Sequence, residues 1–316
     1  MPELPEVETV KRGLNQVSLN QKIKGGDVLL ERTIAHPISV DEFLAGLKNV
    51  TIVQWHRRGK YLLAELAKGE MEQGSRGALE QGGRGEFLSQ NLHSQAGARE
   101  QPKIQNSAGW LGVHLRMTGQ LLWLARDEPV QKHTRVRLFF EGSRELRFVD
   151  QRTFGQMWWV PPAEAPENAI AGLKKLGSDP FSNEFTVDYL VQKLLARRRP
   201  IKNALLDQEL IAGLGNIYAD EALFLAGVRP TTLCTELNKQ QIERLRTAII
   251  QVLQASIEAG GTTFSNFLNV QGVNGNYGGV AWVYNRDRQP CRVCGGEIQR
   301  LKLAGRSAHF CLSCQR

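Results

Sequence analysis

The chain has 316 residues, 41% of them hydrophobic, enough for two domains with cores of their own. Lys and Arg number 40 against 32 Asp and Glu, giving +8 and a pI near 9.4, which suggests a polyanionic partner. No apolar run approaches the length a bilayer needs and no signal peptide is recognisable, so no membrane partner is expected and the expected location is cytoplasmic.

Residues 3–15 predict a helix: Pro5 suits its first turn, and Leu4, Val7, Val10 and Leu14 recur at helical spacing. Glu3 and Glu6 would lie near one face of that turn, where the helix dipole favours carboxylates. The start has a second reading. If Met1 is removed, Pro2 presents a secondary amine near pKa ~7.7–8. Attack by such an amine on a sugar carbon gives a permanently cationic iminium, with Glu3 beside it as acid or base. Taken alone, the stretch favours the plain helix start.

From Lys22 to Val160 the pattern turns to strands, including Val50 to Trp55, Lys60 to Leu66, Trp110 to Leu115, Gln120 to Leu124, Arg135 to Phe140 and Leu146 to Val149, as in an antiparallel sandwich. Arg57-Arg58-Gly59-Lys60 falls at a turn; it reads equally as a phosphate-binding tip or a solvated basic turn. Residues 68–108, rich in Gly, Gln, Ser, Arg and Glu, read as a disordered insertion in a hairpin.

Pro161-Pro162 through Pro166 marks a linker, closed by Gly177-Ser178-Asp179-Pro180. Helices are predicted at Val187 to Ala196, at Ile201 to Asp207, after Gly213-Leu214-Gly215 with Asn216 as cap, and from about Thr235 to Ala259, ending at Gly260-Gly261. The glycine turn before Asn216 also offers helix N–H groups to a phosphate. Lys193, Arg197, Arg198, Arg199 and Lys202 form one basic cluster. Residues 269–280, rich in Gly and Asn, read as a lid or an idle loop.

Four of the five cysteines are paired as Cys291-x2-Cys294 and Cys311-x2-Cys314, the spacing of a closed four-thiolate zinc site, with an iron–sulfur centre the weaker reading. The hairpin between the pairs carries Arg300, Lys302 and Arg306 and is expected to touch nucleic acid; His309 is read as packing. Residues 271–316 hold seven Lys or Arg against two acidic residues, +5 of the +8.

These motifs together resemble the formamidopyrimidine-DNA glycosylase family: the Met1 to Thr9 start, Arg58-Gly59-Lys60-Tyr61-Leu62, His114 to Gly119, Asp150-x-Arg152-x-Phe154-Gly155, Gly213 to Ala219, Gly260-Gly261-Thr262-Thr263 and the cysteine module with Gly305-Arg306-Ser307. The resemblance spans nearly all of the chain outside 68–108. It implies an α+β fold: an N-terminal antiparallel β-sandwich with flanking helices over 1–160, a linker over 161–182, a helix–two-turn–helix domain over 183–262, a lesion-recognition loop over 263–284 and a β-hairpin zinc finger over 285–316. It implies a glycosylase and lyase acting on oxidised purines in damaged double-stranded DNA, with one structural Zn2+ and no small-molecule cofactor; a monomer is the default expectation.

It also implies roles. Pro2 would be the Schiff-base nucleophile and Glu3 the acid that opens the sugar, with Lys60 and Arg306 holding phosphates. Met117, Arg152 and Phe154 would fill the gap left by the flipped nucleotide, with Arg152 on the orphaned cytosine. Asn216, His133 and Lys202 would contact the DNA backbone. The chain departs from the family at Tyr284-Asn285-Arg286, where the middle residue is usually Gly, and at Thr153, where some relatives carry Arg or Lys. The rival readings are an endonuclease VIII-type enzyme for oxidised pyrimidines and a non-enzymatic zinc-ribbon DNA-binding protein.

Overall fold

This computed structural model describes residues 1–69, 106–262 and 268–316; the expected insertion lies outside them except at its ends. The first helix, α1 (Leu4–Val17), follows from its apolar spacing. Pro5 occupies its first turn, where no intrahelical donor is needed, and the Glu3 backbone N–H donates to Glu6 Oε2 at 2.8 Å.

Nine strands follow among the described residues, with one α-helix and a 3-10 turn (Glu31–Thr33) among them: β1 (Ile23–Val28), β2 (Ile34–His36), α2 (Val40–Leu47), β3 (Val50–Arg58), β4 (Tyr61–Lys68), β5 (Ser107–His114), β6 (Gly119–Ala125), β7 (Thr134–Phe140), β8 (Arg144–Asp150) and β9 (Gln156–Val160). They build a four-stranded sheet, β1-β7-β8-β6, and a five-stranded sheet, β2-β9-β5-β4-β3. Two details depart from the strand-only reading. α2 is a helix capped by Ser39, whose hydroxyl accepts from the Glu42 N–H, and β2 runs parallel to β9. The β4–β5 stem reaches Lys68 and resumes at Ser107, so strand pairing extends into both ends of the compositionally biased stretch.

Alternation in β4 divides two apolar layers. Leu62, Ala64 and Leu66 enter the core between the sheets with Leu111, Val113, Leu121, Val136, Leu138 and Phe148. Tyr61 and Leu63 face outward with Trp158 and Val160, under Ile170 and Leu173. The latter pair comes from the linker, which folds into α3 (Pro166–Ala169) and α4 (Ala171–Lys174).

Beyond the linker stand α5 (Val187–Leu195), α6 (Ile201–Leu205), α7 (Asn216–Ala226) and α8 (Lys239–Glu258), sharing one core. α8 starts later than its periodicity suggests, because residues 234–236 form a separate 3-10 turn and Asn238 caps the helix by accepting from the Gln241 N–H at 2.9 Å. The C-terminal hairpin β10 (Ile298–Leu303) and β11 (Arg306–Cys311) packs through Ile298 and Cys311 against Phe224 of α7. Asn285 stands at φ 56°, the left-handed conformation glycine adopts freely and asparagine tolerates best among other residues, so the backbone that Gly would supply here is kept.

α1 joins the two domains. Leu4 belongs to the helical core, whereas Val7, Val10 and Leu14 belong to the sandwich core. The N-terminus is thereby held in the seam.

Candidate active site

The first three residues rest on the glycine turn before α7. The Leu4 N–H donates to Gly213 O at 3.0 Å. Gly213 has φ +90°, and a Cβ on Gly215 would stand 2.2 Å from the Glu3 carboxyl carbon, so only glycine lets the two segments approach. Glu3 is buried, and its Oε1 accepts the Ile217 N–H at 3.2 Å. The helix N-terminus expected to hold a phosphate therefore spends this donor on the protein's own carboxylate. Asn216 is not the cap. Gly215 takes that position, and Asn216, first in the helix, hydrogen-bonds Tyr284 through its side chain, with Oδ1 buried and without a hydrogen-bond partner among the described residues.

Glu3 Oε2 is also buried without a hydrogen-bond partner among the described residues. Burial raises the Glu3 pKa, against the lowering effect of Lys60 and of the α7 N–H groups. Lys60, 7% exposed, follows Gly59 at the β3–β4 turn. Burial lowers its pKa, the Glu3 charge opposes this and the Arg306 charge adds to it. Arg306 is exposed at the start of β11, so the finger hairpin brings its charge within reach of Lys60. The α-amino group on Met1 feels Glu3, Glu6, Lys60 and Arg152, and burial holds it below its ordinary value. Pro2 is buried in this pocket with its nitrogen in the peptide bond to Met1. The structure thus gathers Pro2, Glu3, Lys60 and Arg306.

Glu6 lies beneath them, fully buried. It accepts from Tyr218 Oη at 2.5 Å and from the Thr262 and Glu3 N–H groups at 3.0 and 2.8 Å. Burial, then the Glu3 charge, raises its pKa to about 7.

Met117 and Phe154 are exposed apolar side chains, 39% and 53% accessible, on the β5–β6 and β8–β9 connections. The Arg152 guanidinium lies 5.2 Å from the Phe154 ring centroid, and the Arg152 backbone N–H donates to Thr118 Oγ1 at 3.0 Å, so the two connections touch. His133 is half-buried beside Arg135, its Nδ1 3.2 Å from that guanidinium.

Two basic groups are placed otherwise than their sequence suggested. Lys202 is wholly buried, with Nζ 2.5 Å from Asp220 Oδ1 and 2.5 Å from Ser307 O, so its charge ties α6 and α7 to the finger instead of facing solvent. Arg57 and Arg58 do not form a free phosphate-binding tip. Arg57 pairs with Glu8 and Asp179, and Arg58 donates to the carbonyls of Leu176 and Gly177, clamping the linker. The described part of the Gly/Asn-rich stretch is anchored: Val270 is buried in the sandwich core, and Asn276 and Tyr277 donate to the carbonyls of Ala259 and Gly261.

Sequence reading passed over Asp220 and Glu221. Asp220 Oδ2 accepts the His309 N–H at 3.0 Å and lies 3.1 Å from His309 Nδ1; Glu221 accepts the N–H groups of Trp282, Val283 and Tyr284. Two adjacent acids in an otherwise apolar helix were the available signal, since a buried acid must find donors.

The sulfurs of Cys291, Cys294, Cys311 and Cys314 all lie within 4.8 Å of one another, at 3.8 Å for Cys291–Cys314 and 3.4 Å for Cys294–Cys311. Tetrahedral zinc with Zn–S near 2.3 Å requires sulfurs about 3.8 Å apart, so the cluster fits one structural zinc ion with no open position. His309, turned to Asp220, is outside it.

Comparison with known proteins gives one answer along the chain. Residues 1–157 match the model of the formamidopyrimidine-DNA glycosylase N-terminal domain, residues 176–267 that of its H2TH domain, and residues 288–316 a zinc finger found in FPG and IleRS. The chain is 65% identical over 315 residues to a formamidopyrimidine-DNA glycosylase of Nostoc sp., covering 100% of both. It is similar to the Lactococcus lactis Fpg solved in complex with DNA containing an abasic site (31% identity, TM-score 0.79, 99% of each chain). It is also similar to the same wild-type protein in complex with DNA containing N7-benzyl-Fapy-dG (31% identity, TM-score 0.80, 100% of each chain).

Proposed function

The chain belongs to the formamidopyrimidine-DNA glycosylase family, and from that membership we propose that it excises oxidised purines from double-stranded DNA and then cleaves the strand at the resulting site. With Met1 removed, the Pro2 amine attacks C1′ of the damaged nucleotide. The base leaves, Glu3 supplies the proton that opens the sugar, and the C1′–nitrogen iminium forms. The iminium acidifies C2′, and loss of that proton expels the 3′ phosphate by β-elimination. A further elimination expels the 5′ phosphate, and hydrolysis frees Pro2.

The observation that carries this reading is the state of Glu3. It is buried beside Pro2, its Oε1 is occupied by a helix N–H, its Oε2 has no hydrogen-bond partner among the described residues, and burial raises its pKa, which favours the protonated acid. Burial lowers the Lys60 pKa, and the neighbouring Glu3 carboxylate offsets that; the ammonium suits a phosphate beside the lesion. C1′ of a stacked nucleotide is out of reach of an amine, so the nucleotide must flip, at a cost of a few kcal/mol. Met117, Arg152 and Phe154, exposed on adjoining loops, are suited to fill the vacated space. Asn216, His133 and Arg306 would hold backbone phosphates. Lys202, being buried, would act by seating the finger that carries Arg306. The enzyme would work as a monomer, in the cytoplasm, on the nucleoid.

Duplexes carrying a single 8-oxoguanine or a single thymine glycol test the proposal. Cleavage of the first well above the second is expected; the reverse preference would favour the endonuclease VIII-type reading, and no cleavage of either would remove the enzymatic one.

A further inference from the structure

Three exposed side chains on two connections can enter a duplex together only if something fixes the connections to each other. The group that does so is Asp150, the last residue of β8, paired in register with Gly119 and 1% exposed. Its Oδ1 accepts from Thr118 Oγ1 at 2.5 Å and from the Arg152 N–H at 3.3 Å; its Oδ2 accepts the Gly155 N–H at 2.7 Å. One carboxylate thus holds the turn bearing Met117 and both ends of the loop bearing Arg152 and Phe154. Its backbone continues the frame: the Asp150 N–H donates to His133 O and its carbonyl accepts from Arg135. A Cβ on Gly155 would stand 2.4 Å from the Phe148 ring and 3.0 Å from Asp150 Oδ2, so the loop leaves the strand by this path alone.

The far sides of both connections are held as well. Arg116 adopts φ 52°, and its N–H donates to His114 Nδ1 at 2.9 Å. His114 is buried edge-on against Tyr61; burial and the charges of Arg116 and Lys60 push its pKa down to about 3, so Nδ1 remains an acceptor at any working pH. Thr153 adopts φ 58°, and its hydroxyl accepts from Arg32 at 2.5 Å. Left-handed residues persist where the surroundings over-determine them, and a surface ordered in advance spends less of its binding energy on ordering.

We propose that Asp150 is the positioning residue of the wedge: its carboxylate locks the Met117 turn to the Arg152–Phe154 loop, so that the three side chains enter the duplex as one body and Arg152 meets the base opposite the lesion in fixed register. This rests on the function proposed above. Cleavage of a single strand carrying an abasic site needs the N-terminal amine but has no opposite strand to hold apart, so the two demands separate.

The test uses the full zinc-loaded chain as wild type, Asp150→Asn, Thr118→Val and Thr118→Ser. Wild-type cleavage of 8-oxoguanine duplexes tests the function itself. The inference is read from the variants relative to wild type. Excision from duplex should fall about 10- to 100-fold in Asp150→Asn and Thr118→Val, the scale at which misplaced groups cost rate. Discrimination between cytosine and adenine opposite the lesion should shrink. Single-strand cleavage should stay at the wild-type rate, and Thr118→Ser, which keeps the hydroxyl, should restore duplex excision. If Asp150→Asn fails to fold, Thr118→Val decides alone. Duplex excision and discrimination unchanged in Thr118→Val, or parallel loss of duplex and single-strand cleavage, would overturn the proposal.

Discussion

Glu6 shows how far a single residue is set by its surroundings. It is fully buried and accepts three hydrogen bonds, two of them from backbone N–H groups: that of Glu3, beside the candidate nucleophile, and that of Thr262, just after Gly260-Gly261. An unfolded chain releases the Glu6 proton near the ordinary carboxylate value of 4.5, whereas the folded protein keeps it to about 7. Between these values the native state binds more protons than the unfolded state, so stability falls as pH rises and levels off above about 7. The difference amounts to ~3 kcal/mol. Glu6→Gln cannot ionise, so the stability gap between wild type and variant should move in the variant's favour by about that amount between pH 5 and pH 8. Urea unfolding at a series of pH values measures it; a gap independent of pH would contradict the assignment.

Among the elements, α7 has the most demanding position. Its N-terminus holds Glu3, Asp220 and Glu221 in its middle hold the finger and the segment leading to it, and Phe224 packs beneath the cysteine cluster. The finger itself has a small apolar core, Val283, Ile298 and two ligand cysteines, so metal must supply much of its folding energy. Chelating the zinc should therefore abolish tight binding to lesion-containing DNA while the sandwich keeps its cooperative urea transition. Tight binding by a metal-free sample would contradict this.

The strands, the long helices and the zinc ligands were legible in the sequence, because periodicity and Cys spacing report local geometry. α2 was not, lying as one short helix among strands. Nor were Arg57 and Lys202: a basic residue reads the same whether it meets DNA or a carboxylate far along the chain, as Arg57 meets Asp179. Asn216 misled for a related reason, since a good capping residue one place past a glycine turn leaves the glycine as cap.

At the scale of the molecule, α1 decides the outcome. Anchored by Leu4 in the helical core and by Val7, Val10 and Leu14 in the sandwich core, it delivers the chain's N-terminus into the seam where Glu3, Lys60 and the finger's Arg306 converge. A plain helix start explains Leu4 and Pro5; it does not explain a buried Glu3 with an oxygen that has no hydrogen-bond partner among the described residues, nor the glycine at 215 that makes room for it. The most direct test is borohydride trapping on DNA containing an abasic site, with the crosslinked peptide identified by mass spectrometry. The account predicts a covalent adduct on Pro2 of protein lacking Met1, strongly diminished in Pro2→Gly and absent when Met1 or a tag is retained, with DNA binding kept. No adduct from the Met1-free protein, or an undiminished one from Pro2→Gly, would contradict it.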